Sequence, residues 1–531
     1  MSPVDASKAR AAVSPAGRLD TFLGKYTMYR LILLVLCALA VYSVVLNALG
    51  WLTFGIPQML VHLALCLGLT YVSNRGLAAL FHVRPHSESS LITGLLLYFL
   101  FWPTFVPMDM AGVALACVLA SASKYALAWR GRHIFNPAAA GAFITGLTGL
   151  NIATWWAATP AMLWLLVPGI LLVLYRTRKF LMAAVFLVVA TAIISTELLQ
   201  AGLSFGSALW QALAQRPLLF FVGFMLTEPL TLPPRRWQQL ALGAVVGVVF
   251  AVPYNLGFVA NSPELALLLG NLLAFLVGQR AGLKLRFTGS RPLTPSTTEF
   301  SFEPSRPVRY VPGQYMELDL PHAKSDGKGR RRTFSLTNAP GSESVKFGVR
   351  TAEPLSAAKK VLLALKPGDQ VAATSVGGDF VLPRDPSRPL LLIAAGIGIT
   401  PFLAHLASGA AQERDVVLLL LARNAEEIAY ADELHASGAR IIARLADGSV
   451  PPSFITPAGN GTAGNGTAGN GTAGGHASGA RLDGTALQAL VPDIADRTVY
   501  VSGSPSSVAS LRRAARKAGA RHVHVDSFSG Y

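Results

Sequence analysis

Two regimes of apolar spacing meet near residue 284. Before it, apolar residues form long unbroken runs: 31–49, 56–72, 91–106, 111–128, 138–150, 162–174, 181–199, 217–226, 240–252 and 265–277. Several approach the length needed to cross a bilayer. They predict a polytopic α-helical membrane domain of about ten helices over residues 25–283, behind a polar, basic segment 1–24. The first run lacks a small-residue cleavage site and reads as a retained helix. After residue 284 the period shortens. Residues 287–320 alternate apolar and polar between Pro and Gly punctuation, and 332–336 and 345–350 continue the pattern, as short antiparallel strands do. With one helix at 355–365 and the turn Lys366-Pro367-Gly368-Asp369, they predict a small β-barrel over 284–386. The continuous apolar run 390–395 suits a buried parallel strand. Further strands at 416–421, 440–445 and 499–501 alternate with helices at 402–407, 426–436 and 507–518. That alternation predicts an α/β doubly wound domain over 387–531. A repeat of Ala-Gly-Asn-Gly-Thr within 456–479 reads as a flexible surface insertion without a catalytic role.

Charge fixes the orientation. The 531 residues are 52% apolar and 14% charged, too apolar for a soluble protein. The net charge of +17 does not point to nucleic acid, because no nucleic-acid motif accompanies it. Its cations fall in alternate connectors instead: Lys25 and Arg30; Arg75 and Arg84; Arg130 and Arg132; Arg176, Arg178 and Lys179; Arg235 and Arg236; Arg280, Lys284 and Arg286. Arg216 is the exception. The positive-inside rule then puts both termini on the cytoplasmic side of the inner membrane, and everything after residue 284 in the cytoplasm. Cys37, Cys66 and Cys117 lie in apolar runs, with no spacing for a disulfide framework, zinc or an iron–sulfur cluster.

Two runs, 138–150 and 217–226, are too short to cross as straight helices. Each adjoins a polar, proline-containing motif: His133-Ile134-Phe135-Asn136-Pro137-Ala138 and Thr227-Glu228-Pro229-Leu230-Thr231. Short interrupted segments in corresponding places of two halves predict inverted repeats with broken helices around a central site. Glu228 at membrane depth is costly and marks function, unless it merely ends a helix at the boundary. Only His62 lies inside an apolar run, so paired haem ligands are lacking.

Leu91–Leu97, Phe135–Ala138 and Phe220–Thr231 together resemble one family. It contains the B-type membrane subunit of the sodium-translocating NADH:quinone reductase and the D-type membrane subunit of the Rnf electron-transport complex. The resemblance implies FMN or riboflavin in the membrane, with Asn136, Thr227 and Glu228 as candidate binding residues. It also implies FMN attached to a threonine of a Ser-Gly-Ala-Thr motif on the outer face. The counterpart here, Trp156-Ala157-Ala158-Thr159-Pro160, lacks the serine and glycine. Covalent flavin at Thr159, non-covalent flavin and none all stay open.

Arg332-Thr333-Phe334-Ser335 is the candidate flavin strand. An arginine fork suits a pyrophosphate, an aromatic offers a flat face, and a hydroxyl can bond a ring edge. Gly396-Ile397-Gly398-Ile399-Thr400-Pro401 follows a predicted strand and opens a helix, as phosphate-binding loops do. With Ser356, Ser502-Gly503-Ser504 and the ending Asp526–Tyr531, these residues resemble the ferredoxin–NADP reductase superfamily over about 284–531. Its Arg-x-Tyr-Ser motif carries Phe334 for tyrosine here, and its Cys-Gly-Pro reads Ser502-Gly503-Ser504. The resemblance implies FAD between the two domains and NADH or NADPH as hydride donor. It makes Ser356 a pyrophosphate contact and brings Ser335, Ser502 and Phe528 or Tyr531 to the reacting ring. Arg423 meets a 2′-phosphate or is simply solvated.

The sequence therefore predicts a membrane-bound flavin oxidoreductase. It would pass electrons from NAD(P)H through FAD to a membrane flavin, then to a quinone or an outer-face redox protein. Its rivals are an ion-coupled redox pump component, moving an ion past Glu228, and a nucleotide-sensing transporter without redox turnover.

Overall fold

The computed structural model describes residues 28–82, 87–129, 132–257, 259–278, 283–320, 331–383, 385–458 and 482–528. The chain forms two compact units that part between Gly282 and Leu283.

The N-terminal unit is helical. Its α-helices are α1 (Met28–Ala48), α2 (Ile56–Leu80), α3 (Ser87–Leu100), α4 (Pro107–Ala126), α5 (Pro137–Leu147), α6 (Leu163–Thr177), α7 (Phe180–Gln200), α8 (Phe205–Ala214), α9 (Leu218–Phe221), α10 (Arg236–Ala251) and α11 (Pro263–Leu276). A π turn, Val222–Leu226, extends α9. Each apolar run contains a helix, but ten full-length spans are not shown. Among the described residues, four helices are long and apolar enough to cross a membrane, or five if α8 and the α9–π segment, bent by 43°, form one broken span. Helices α3, α5, α10 and α11 are apolar but shorter. At about 1.5 Å per residue they fall short of a hydrocarbon core of roughly 30 Å. The apolar runs outlast the helices because extended segments carry them on. The carbonyl of Leu100 at the end of α3 accepts from Thr154 N at 2.7 Å and Trp155 N at 2.9 Å, so a distant connector satisfies the helix end.

Packing recurs between the two halves of this unit. Helix α1 packs on α3, α2 on α3 and α4, and α4 on α5. Likewise α6 packs on the π turn, α7 on α8 and α10, and α10 on α11. The counterpart of the α9 segment is thus α3, and that of α5 is α11. The two interrupted runs singled out from sequence, α5 and α9, do not correspond to each other. Run length alone carries no information on packing partners.

The C-terminal unit holds two sheets. The first contains β1 (Leu283–Thr294), β2 (Thr297–Pro304), β3 (Tyr315–Asp319), β4 (Arg331–Ser335), β5 (Val345–Arg350) and β6 (Gln370–Gly377). Their antiparallel order is β4-β3-β6-β1-β2-β5. A bridge between Leu336 and Phe347 joins the two edges and closes the barrel. Helix α12 (Ala357–Leu363) follows β5. Phenylalanines 287, 300, 302 and 347 fill the barrel interior.

The second sheet contains β7 (Leu390–Ala395), β8 (Val416–Ala422), β9 (Arg440–Leu445), β10 (Thr456–Pro457), β11 (Thr498–Gly503) and β12 (His522–Ser527). All pairings are parallel, in the order β10-β9-β8-β7-β11-β12. Apolar residues of β7 alternate between two cores. One core lies under α13 (Thr400–Ala407) and α14 (Ala431–Ala436), the other under α15 (Gly484–Leu490) and α16 (Pro505–Lys517). Burial on both faces is why β7 reads as an unbroken apolar run.

Candidate active site and a polar cavity

Strand β7 is the pivot of the parallel sheet. Chain order runs outward from it in one direction through β8 and β9, and in the other through β11 and β12. The crevice beyond the strand ends, where that order reverses, is the standard ligand position of such sheets. Both predicted nucleotide loops lie there. Gly396–Ile399 makes a 3₁₀ turn after β7, and Pro401 sits in the first turn of α13. Thr400 is buried and its hydroxyl donates to Ile397 O at 3.1 Å. Ser502 and Gly503 end β11, and Ser504 caps α16 by accepting from Ser507 N.

The loops touch. A Cβ on Gly398 would lie 2.3 Å from Ser502 O, and one on Gly503 2.9 Å from Ala395 Cβ. Only glycine permits this approach. Ser502 is fully buried, and its Oγ has no hydrogen-bond partner. Phe528 joins the same place, its backbone N donating to Gly503 O at 2.9 Å. Tyr531 lies outside the described residues, as does most of the low-complexity insertion.

On the barrel, Arg332 pairs with Leu318 across β3 and β4, Phe334 with Met316, and Ser335 with Tyr315. The strand period puts Arg332 and Phe334 on one face, and Thr333 and Ser335 on the other. Arg332 is 1% exposed, and its Nη1 donates to Arg331 O at 2.9 Å. Phe334 is buried in the barrel core, 6.0 Å from the ring of Phe347. Ser356 caps α12, its hydroxyl accepting from Lys359 N at 3.4 Å. Arg423 is exposed just beyond β8.

A clamp that the sequence reading missed ties the segment leaving the barrel to the parallel sheet. Phe380 packs on Phe402 and Tyr500, and Tyr500 donates its hydroxyl to Val381 O at 2.8 Å. Burial pushes the Tyr500 phenol up to about 12. His405 Nε2 lies 3.2 Å from Phe380 O, and burial lowers the imidazole to about 4, so it donates as a neutral ring. A histidine inside the apolar helix 402–407 was the available signal. Arg291 with Glu433 and Ser296 with Glu427 add further barrel-to-sheet bonds.

In the helical unit the three family-like motifs converge on one cavity of about 40 Å³. Thr93 and Ile92 come from α3, Asn136 and Pro137 from the start of α5, Thr227 and Glu228 from beyond the π turn, and Thr177 from α6. Asn136 is the knot. Its Oδ1 caps Ala139 N at 3.1 Å, its Nδ2 donates to Glu228 Oε2 at 2.9 Å, and its backbone N donates to Asn271 Oδ1 at 2.8 Å. His133 Nε2 lies 3.3 Å from Glu228 Oε1. Thr227 donates to Val222 O at 3.0 Å, across the π turn. Asn271, a lone amide in an apolar run, was overlooked in the sequence.

Thr159 is not part of this cavity. It precedes α6, whereas Thr177, which lines the cavity, ends that helix, about 20 Å away at 1.5 Å per residue. Its hydroxyl is buried without a partner. Nearby, Trp155 donates to the buried Glu264 at 2.6 Å, another pair the sequence reading passed over.

No protein-family model matches the chain. It is 32% identical over 158 residues to a flavohemoprotein of Pseudomonas aeruginosa, covering 29% of this chain and 39% of that protein. It is 32% identical over 168 residues to the toluate 1,2-dioxygenase electron transfer component of Pseudomonas putida, covering 31% and 48%. It is 34% identical over 147 residues to an NADPH oxidoreductase of Mycobacterium tuberculosis, covering 26% and 36%. The chain thus spans less than half the length of each of these relatives. Among solved structures, a ferredoxin NADP+ reductase of Neisseria gonorrhoeae with bound FAD and NADP aligns at a TM-score of 0.37 and 17% identity, over 46% of this chain and 98% of that one. The sequence relatives support a ferredoxin–NADP reductase-like FAD- and NAD(P)-binding module, that of NAD(P)H-dependent oxidoreductases. They do not bear on the family resemblance of the apolar unit.

Proposed function

We propose that this chain is a membrane-bound flavin oxidoreductase. It takes electrons from NAD(P)H on a cytoplasmic C-terminal unit, by way of FAD, and delivers them through the N-terminal unit to a quinone or an outer-face redox protein. One observation carries this reading. The Gly396–Pro401 and Ser502–Ser504 loops meet in backbone contact at the sheet's switch point, with a fully buried, unpartnered hydroxyl between them. A buried polar atom without a partner is costly unless a ligand satisfies it.

The residues fit FAD and a nicotinamide nucleotide. FAD, when bound, supplies an acceptor for a hydride pair and a source of single electrons. Arg332, a rigid charged fork on β4, would hold the pyrophosphate together with the start of α12 at Ser356. Gly398 and Gly503 keep side chains out of the crevice, so the backbone itself lines the nicotinamide position. Ser502 offers a hydroxyl there and Ser335 one at the flavin edge. Phe528 is held at the crevice by its bond to Gly503.

A flavin in the helical unit fits less well. A cavity of about 40 Å³ has room for roughly three waters, not a ring system, so we assign no FMN or riboflavin to it.

A second reading, an ion-coupled redox pump, is favoured by the cavity's chemistry. Thr93 donates to Ser89 O, Thr177 to Val173 O and Thr227 to Val222 O. Each hydroxyl has one proton, and each has given it to its own backbone. These three threonines therefore turn lone pairs toward the carboxylate of Glu228, a set suited to a cation.

The test uses detergent-purified full-length protein. FAD should co-purify and bleach on adding NADH or NADPH, and Arg332→Ala should lose most of the FAD. Full FAD retention in the variant, or no bleaching by either nucleotide, refutes the reading. Turnover in sealed vesicles that requires sodium would select the pump.

A further inference from the structure

Helix α16 has a buried apolar stripe, Val508, Leu511, Ala514 and Ala515, that anchors it to the parallel sheet. Its other face carries Arg512, Arg513, Arg516 and Lys517, and Arg521 follows just past its end; all five are exposed. None of them forms an ion pair among the described residues. Nearby acids are engaged elsewhere. Asp493 binds Arg497 at 2.7 Å, and Asp483 caps Ala486 N at 2.9 Å. The helix macrodipole accounts for Arg516 and Lys517 in the last turn. It does not account for Arg512, Arg513 or Arg521.

Five unscreened cations on a rigid face are a recognition surface for negative charge. Their position decides which kind. Helix α16 starts at the crevice, beside Ser502, and the cations occupy its later turns, roughly 10–20 Å along the axis. A protein that collects electrons must approach the crevice and barrel, so docking at the far end of α16 would not serve it. An extended anionic surface has no such requirement. The connectivity supplies such a surface: residues 277–282 alone join the apolar helix α11 to β1, a reach of about 20 Å at most. Tethering at that length keeps lipid headgroups at high effective concentration.

We propose that the basic face of α16 binds the anionic headgroups of the bilayer and so holds the reductase unit at the membrane surface. This rests on the membrane reading above. Polybasic faces close to a bilayer bind anionic lipid through charge, within a Debye length.

The test places a fluorophore on α16 in the full chain. Ala509→Cys is exposed one turn before the cations, and Cys37→Ser removes the exposed native thiol. The labelled protein enters nanodiscs of phosphatidylcholine, with or without phosphatidylglycerol, carrying headgroup nitroxide quenchers. Quenching should be at least about twofold stronger with the anionic lipid. It should vanish when salt shrinks the Debye length from about 10 Å to about 3 Å. R512E/R513E/R516E should abolish it, and the corresponding triple lysine variant should keep it, both eluting as the unmutated protein does. Equal quenching in both lipids, salt-insensitive quenching, or none overturns the proposal. So does shielding of the fluorophore only by an added acidic electron-carrier protein. Protein that fails to enter nanodiscs defeats the membrane reading as well, whereas entry without quenching defeats this proposal alone.

Discussion

Gly398 and Gly396 stand two residues apart and make opposite predictions. An alanine at 398 would set its Cβ 2.3 Å from Ser502 O, 2.5 Å from Ser502 C and 2.8 Å from Gly503 N. All three are backbone atoms of β11, which is locked in parallel register to β7 through Ala394 and Ser502. No side chain can swing aside. Relief to an ordinary contact needs the β7–α13 loop to retreat by about 1 Å from the crevice. Overpacking of this kind costs about 1–3 kcal/mol. For a unit of this size that lowers Tm by roughly 2–4 °C per kcal/mol. The same displacement of a reactant from its partner costs about a hundredfold in rate. Gly396 has a φ of +56° and nothing within 4 Å of where a Cβ would stand. Alanine there meets only left-handed strain, about 1–2 kcal/mol, and moves nothing. Stopped-flow reduction of bound flavin by NADH or NADPH, beside thermal melts, separates the two. Gly398→Ala should slow reduction by about a hundredfold with FAD retained, and Gly396→Ala should lose stability with reduction within severalfold of the unmutated protein. Normal reduction by Gly398→Ala, or equal losses in both, would refute the assignment of the crevice.

Three further outcomes follow from single contacts. Ser502→Ala removes a buried hydroxyl that has no partner, so stability should hold within about 1 kcal/mol while flavin reduction slows; a melt and a stopped-flow trace read both. His405, lowered by burial to about 4, favours its neutral form in the folded state, so its contribution is full above about 6.5 and lost as pH falls towards 4. The loss is roughly 3 kcal/mol, and His405→Gln should flatten that acid limb in melts between pH 7 and 4. Glu228→Gln keeps one acceptor oxygen for Asn136 and His133 between them, so one charge-assisted bond, worth about 1.5–3 kcal/mol, is lost. Quinone reduction should fall while NAD(P)H-driven reduction of a soluble acceptor persists, and equal loss of both would separate Glu228 from the membrane step.

The strands of the nucleotide sheet were legible because β7 and β8 are covered on both faces and so are apolar throughout. The Gly-x-Gly-x-Thr-Pro loop was legible because it follows such a strand. The barrel was legible from alternation and turn punctuation, but which edges meet was not, because the Leu336–Phe347 bridge pairs edges that no local pattern links. In the helical unit, apolar runs marked where helices are but not where they end. Helix α8 escaped notice because Gln211 and Ser207 interrupt its apolar positions, although Ser204 offered a capping signal. Helix α3 stops at Leu100, where another connector supplies the hydrogen bonds, although Phe101 and Val106 carry the apolar run six residues further.

The polar cavity was half legible, and the missing half decides what the site can be. Phe-Asn-Pro-Ala and Thr-Glu-Pro were conspicuous because amides and carboxylates are expensive among apolar helices. Their convergence was not, since it depends on the π turn at Val222–Leu226, which turns Thr227 and Glu228 inward, and on Asn271. Asn271 fixes the start of α5 by accepting its cap N–H, and that aims the Asn136 amide at Glu228. With Asn136 and His133 each engaging one carboxylate oxygen, each oxygen keeps spare lone pairs. The threonine protons are already given to backbone carbonyls. A flavin ring needs donors for its carbonyls as well as space, and these hydroxyls supply neither. The arrangement is complementary to a small positive charge or a few waters.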